Sequence, residues 1–194
     1  MKKKLLFIDS CITRHESRTK KLCETYIEEF LKKNPDYELE TVTLKNGEVK
    51  PLTMETLAER EGYEEKEDWN HDIFRFAKQY KSADRIVLGT PYWELSFTSI
   101  VKVYVENVMI GHLTFRQTEN GCEGLCSAEK ITYITTSGGY IGDKNYGYDY
   151  IKGIAEMSGI PKTEFFSAEG LDIYGNDADA IVSEAICRIK DSFK

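Results

Sequence analysis

The chain has 194 residues, 41% of them hydrophobic, and a formal net charge of -7. That length suits one domain spanning 1–194, and the apolar fraction is too high for a disordered chain. The acidic balance argues against a nucleic-acid partner, because neutralising duplex phosphates needs a basic face; a small phosphate-bearing cofactor needs only a local pocket.

Leu5 to Ile8 is a continuous apolar run, the pattern of a parallel strand buried on both faces. Lys2-Lys3-Lys4 ahead of it imitates a signal peptide, but the run stops at Asp9, short of the roughly 7–15 apolar residues such a segment needs. Residues 17–33 have helical period, with Leu22, Cys23, Tyr26, Ile27, Phe30 and Leu31 on one face and Asn34-Pro35 as the stop. A second strand follows through Leu39, Thr41 and Thr43, then a polar stretch from Lys45 to Lys66 with one short helix. Trp69, Ile73, Phe76, Ala77 and Tyr80 predict a helix, with His71 on its polar face, before a strand over Arg85 to Gly89.

After Pro91 the next helix turns Phe97, Ile100, Val101, Tyr104, Val105 and Val108 inward. A long connection covers Gly111 to Glu129. Ile131 to Thr135 is a fourth strand ending in Ser137-Gly138-Gly139. A helix through Tyr150, Ile151, Ile154 and Met157 closes at Gly159 and Pro161, a fifth strand holds Phe165-Phe166, and Ala178 to Ile189 forms the last helix.

No run approaches the ~20 apolar residues that span a bilayer, so no membrane partner is expected. The five cysteines are an odd number, and Cys122 and Cys126 lack companions that would complete a zinc site; reduced thiols in the cytoplasm are the expectation, with no metal.

Strands alternating with helices predict an α/β three-layer sandwich, a five-stranded parallel sheet in the flavodoxin-like order 2-1-3-4-5. Ligands of such sheets bind beyond the carboxyl ends of the strands. The loops after strands one, three and four therefore carry the candidates. The first offers Ser10, Thr13, Ser17 and Thr19, with Ser17 as an N-cap and Arg14 and Arg18 as cations, an anion site at a helix N-terminus. Plain capping is the competing reading. A cysteine-phosphatase loop is rejected, because Cys11 stands at the wrong spacing from both arginines and the loop lacks glycine; no Walker loop is present. The second loop, Gly89 to Ser96, sets Tyr92 and Trp93 where a flat ligand would cover them. The third, Thr135 to Tyr140, has glycines that permit close backbone approach.

With these residues in place, the sequence resembles the FMN-dependent NADH:quinone oxidoreductases of the bacterial azoreductase type. The resemblance runs over essentially the whole chain and is most specific at Leu113-Thr114-Phe115-Arg116-Gln117-Thr118-Glu119-Asn120-Gly121-Cys122-Glu123-Gly124-Leu125, with Ala168-Glu169-Gly170 also matching. It implies that Ser10, Ser17, Arg18 and Thr19 hold the FMN phosphate. It puts Pro91, Tyr92, Trp93, Glu94 and Leu95 under the ring and Thr136, Ser137, Gly138 and Gly139 beside it. The implied activity is two-electron transfer from NADH or NADPH to quinone-like or azo acceptors, with the flavin carrying the chemistry and no obligatory acid or base; His15 and His112 are weak candidates for a proton donor. Glu94 stands where the family has asparagine and Ser137 where it has arginine, changes of charge that bear on the acceptor and the donor. The resemblance also implies a homodimer with a partner's loop near the flavin, which assigns Phe115 and Tyr140 to the substrate and partner side. The multifaced helix from Phe97 to Met109, including Val103 and Tyr104, and an exposed Leu113, Phe115 and Leu125 are expected at that interface. A flavodoxin-like electron carrier is the alternative, as are an iron–sulfur flavoprotein or NADPH reductase of the same fold.

Overall fold

A computed structural model describes residues 2–12, 16–44 and 47–194. Five parallel strands, β1 (Lys3–Asp9), β2 (Tyr37–Thr43), β3 (Arg85–Gly89), β6 (Ile131–Thr136) and β7 (Thr163–Ala168), form one sheet in the order β2-β1-β3-β6-β7. Counted among the parallel strands alone, this is the expected 2-1-3-4-5.

The two faces follow from strand period. Leu6 and Ile8 of β1 with Ile86 and Leu88 of β3 enter a core beneath α3 (Arg75–Ser82), α4 (Ser99–Val108) and α5 (Tyr146–Met157). Leu5, Phe7 and Val87 enter the opposite core, under α1 (Arg18–Lys33) and α6 (Ala178–Asp191). The unbroken apolar run of β1 is what burial on both faces requires. Helix α2 (Met54–Glu64), opened by a Thr53/Thr56 capping box, buries none of its residues fully and reaches the first core through the half-buried Tyr63. No helix among the described residues is long and apolar enough to cross a membrane.

Three expectations are corrected. The helix expected from Trp69 breaks into a 3-10 turn, Asp72–Phe74, followed by α3. His71 caps that turn instead of lying on a helix face: its Nδ1 accepts from the Ile73 amide at 3.3 Å and its ring stacks on Tyr63 at 3.8 Å. The connection from Gly111 to Glu129 contains an antiparallel hairpin, β4 (Phe115–Thr118) and β5 (Gly121–Gly124). A Cβ on Gly124 would strike the backbone of Ser158 and Gly159, and Cys126 N–H donates to Ser158 O at 3.2 Å. The hairpin thus packs on the C-terminal end of α5, at the edge of the sheet where the strands begin. Leu113 is buried in the chain's own core, as is Tyr104, and Phe115 and Leu125 are half-buried, so these residues are not the exposed apolar surface that was expected.

Candidate functional site

At the other edge, where the strands end, the loops after β1, β3, β6 and β7 enclose a cleft of about 590 Å³. Clefts of about 460 and 530 Å³ lie elsewhere, so size does not single it out. Position does: it sits over the point where the strand order reverses, and it has the donors described next.

One end is the N-terminus of α1. Ser17 is the N-cap, its Oγ accepting from the Lys20 amide at 3.2 Å. The hydroxyl can also donate, and the amides of Arg18 and Thr19, in the first turn, have no acceptor within the helix. Thr19 Oγ1 lies 2.6 Å from Thr136 Oγ1, which ties this end to β6. Hydroxyls, first-turn amides, the helix dipole and the Arg18 guanidinium together form a set of donors for an anion. Beneath them Asp9 is completely buried. Its Oδ1 accepts from the Cys11 amide at 3.0 Å and its Oδ2 lies 3.2 Å from Lys20 Nζ, which shapes the first loop from below.

Cys11 lines the cleft, but burial first, and the Asp9 carboxylate second, push its thiol up to about 12. A thiol held protonated at neutral pH is no nucleophile, which agrees with rejecting the phosphatase reading.

The other end is apolar and flat. Pro91, Tyr92 and Trp93 face Thr136, Ser137 and Gly138. Tyr92 N–H donates to Thr136 O at 2.9 Å and its phenol donates to Lys144 O at 2.8 Å, so the ring is fixed at both ends. Burial, with Tyr146 and Glu169 nearby, raises the Tyr92 phenol above its ordinary value. Trp93 remains 46% exposed, a large aromatic surface facing water. Gly89 ends β3 where a Cβ would meet Cys23 Sγ of α1, and this close approach brings the first and second loops together.

Of the residues expected at the site, Ser17, Arg18, Thr19, Pro91, Tyr92, Trp93, Thr136, Ser137 and Gly138 line this cleft. Ser10 does not: it is fully buried, its Oγ donating to Gly89 O at 3.0 Å and accepting from Thr98 Oγ1 at 3.4 Å, so it locks the first two loops together from behind. Gly139 lies just outside, and Tyr140 lines the neighbouring cleft against Glu169 and Arg188. Phe115, on the hairpin, is at the opposite edge, and His112 is beside it, donating its amide to Phe115 O at 2.7 Å. Thr13, Arg14 and His15 lie outside the described residues. The sequence reasoning missed Cys11, Ile12 and Glu16 in the first loop and Leu171 and Asp172 after β7. The rule that ligands sit beyond strand ends would have found the last two had it been applied to the fifth strand.

A family model described as flavodoxin-like fold matches residues 3–193. The chain belongs to this family. A relative from Clostridium beijerinckii named FMN-dependent NADH:quinone oxidoreductase is 33% identical over 181 residues, 92% of this chain and 91% of that protein. One of the same name from Clostridium perfringens is 32% identical over 186 residues, 94% of each. The solved structure of an FMN-dependent NADH-azoreductase from Bacillus anthracis in complex with FMN superimposes with a TM-score of 0.82 at 22% identity, covering 100% of this chain and 98% of that one. At that identity the superposition establishes the fold.

Within this flavodoxin-like chain the cleft's chemistry fits FMN. First-turn amides and hydroxyls sit where a phosphate would be held, and an uncovered tryptophan sits where a flat ring would lie. Glu94 and Leu95 fall outside that fit. Trp93 and Ser96 exchange backbone hydrogen bonds at 3.0 and 2.8 Å, and the two residues between have φ of 42° and 68°, a type I′ turn built from residues that disfavour it. Both are exposed at the tip and neither lines the cleft. Replacing them with Asn-Gly is expected to stabilise the protein by about 1–2 kcal/mol, because each non-glycine residue in this region costs about that much or less. Thermal melts check it: a lowered Tm would mean that the turn relies on contacts of Glu94 or Leu95.

Proposed function

We propose that residues 1–194 form one FMN-binding domain of an oxidoreductase that passes two electrons from NADH, or NADPH, to quinone-like or azo acceptors. The observation that carries this is the pairing, in one cleft, of an anion cradle at the start of α1 with an open aromatic wall at Tyr92 and Trp93. When bound, FMN supplies the hydride chemistry. Ser17, Thr19 and the α1 amides hold its phosphate, and Arg18 adds charge. Pro91, Tyr92 and Trp93 support the ring, and the backbone from Thr136 to Gly138 borders it. No side chain is assigned as catalytic acid or base, since His112 lies at the far edge of the sheet. The named relatives favour an enzyme over an electron carrier. Purified protein is expected to show flavin absorption bands that NADH bleaches and benzoquinone restores. Flavin that NADH leaves oxidised would favour the carrier.

Assembly as a homodimer is supported by Ile12, Trp93, Leu95, Tyr140 and Tyr174, on loops at the strand-end edge, and by Tyr146 at the start of α5, all between 40% and 103% exposed. Because Phe115 and the cleft occupy opposite edges of one chain, Phe115 reaches a flavin only from a second copy. Light scattering coupled to size exclusion is expected to give twice the chain mass. Phe115→Asp is expected to lower mass and flavin occupancy together; loss of either alone would separate the interface from the site.

A further inference from the structure

The loop after β7 puts a carboxylate into the phosphate end of the cleft. Asp172 Oδ1 lies 3.8 Å from Arg18 Nη1, a pair that runs from the start of α1 across to the far wall. Arg18 is the one cationic side chain lining the cleft among the described residues, and two carboxylates, Asp172 and Glu16, line it as well. An anion site is an unfavourable place for them, since like charges oppose the ligand and the helix dipole does not compensate a group across the cleft.

The carboxylate is not needed to shape its loop. Backbone bonds do that: Leu171 N–H donates to Ser137 O at 3.1 Å, Asp172 N–H to Gly138 O at 2.9 Å and Ile173 N–H to Gly170 O at 3.3 Å. Its side chain is 79% exposed, so it carries no packing either. It does lie close over Gly138, where a Cβ would collide with it, so the absence of a side chain there leaves room for the carboxylate at the cleft wall.

We propose that Asp172 is a specificity-determining residue that limits how strongly the site prefers a phosphorylated flavin. It engages Arg18 while the phosphate is absent and opposes the phosphate when it arrives, so binding must draw Arg18 away from it. This rests on the flavin assignment made above. An exposed ion pair is individually weak, and the effect is therefore one of tuning. Its consequence is a cofactor held less tightly than the same cradle would otherwise hold it.

The test is fluorescence titration of the full chain with FMN and with riboflavin, for the unsubstituted protein, Asp172→Asn, Arg18→Gln and the double variant. Asp172→Asn is expected to raise the ratio of FMN to riboflavin affinity by about three- to tenfold, from removal of one nearby like charge in a solvated site. Riboflavin affinity itself should stay constant. The gain should shrink when Arg18 is already glutamine, because the competition for Arg18 is then gone. A ratio that is unchanged or lowered in Asp172→Asn overturns the proposal. So does an equal gain with and without Arg18, which would remove Arg18 from the account. Failure of the unsubstituted chain to bind either flavin would overturn the flavin assignment itself, and is recognisable before any variant is compared.

Discussion

Replacing Ser17 and Thr19 together with alanine is expected to weaken FMN binding by about 10²–10⁴-fold while leaving riboflavin binding almost unchanged. Hydrogen bonds to a charged group contribute about 1.5–3 kcal/mol each, and two such losses multiply to that range. The lower half of it is favoured here. In the free protein Thr19 Oγ1 is already paired with Thr136 Oγ1, so its bond to a phosphate is partly an exchange. Ser17 has a second duty as N-cap of α1, and its loss also costs about 0.5–2 kcal/mol of stability. Ser17→Gly separates the two effects, because glycine at an N-cap loses only a few tenths of a kcal/mol yet has no hydroxyl. Ligand-linked melts give an independent reading. The unsubstituted protein should gain about 2.7 kcal/mol at an FMN concentration 100 times the dissociation constant, and the double variant at the same concentration far less. FMN affinity within threefold of the original in the double variant would remove the phosphate from this end of the cleft.

Lys20→Met is expected to destabilise the fold by about 3 kcal/mol at neutral pH, because it leaves the Asp9 carboxylate buried without its cation. Asp9 is fully buried while Lys20 is 38% exposed on its side chain, so most of the loss comes from the stranded carboxylate and little from the lysine. The pair also raises the Lys20 ammonium above its ordinary value, the Asp9 carboxylate being the cause. A lysine whose value is raised in the folded state contributes fully below its unfolded value and loses that contribution only as pH rises through the folded one, in the alkaline range. At neutral pH the pair is therefore intact. In the variant the Asp9 carboxylate is a buried charge without its cation. Adding Asp9→Asn should therefore recover much of the deficit at neutral pH. Denaturant melts measure this; no recovery with asparagine would show that the lysine acts through packing alone.

The sheet was legible because its signals are local. A strand buried on both faces must be apolar at every position, as Leu5 to Ile8 and Ile86 to Leu88 are. An amphipathic helix must repeat near 3.6 residues, as α1 does from Leu22 to Phe30. Alternation of the two then leaves few topologies. The N-cap at Ser17 was legible for the same reason, since its partner is three residues away. The hairpin was not. Its strands, Phe115–Thr118 and Gly121–Gly124, are polar and mostly exposed, and they are held by a cross-strand ion pair of Arg116 with Glu123 at 2.8 Å and by the contact of Gly124 with Ser158 and Gly159. Hydrophobic period does not announce these strands; the local signal that could have found them is Asn120-Gly121 at the turn. The turn at Glu94-Leu95 was hidden because its residues are not those that favour positive φ.

Sequence by itself determined the strand order, the helix that begins at Ser17, and the three loops that we propose hold an anion and a flat ring, because the signals for each lie in residues close together in the chain. Tertiary structure decided which of those residues share the cleft. It turned Ser10 inward to join Gly89 and Thr98, carried Phe115 to the opposite edge, and brought Asp172 from the end of β7 to Arg18 at the start of α1, 154 positions apart by their numbers (172 − 18). These are long-range choices, set by close approaches between segments distant in the chain, at Gly89, where a Cβ would meet the Cys23 side chain, and at Gly124, where it would meet the backbone of Ser158 and Gly159.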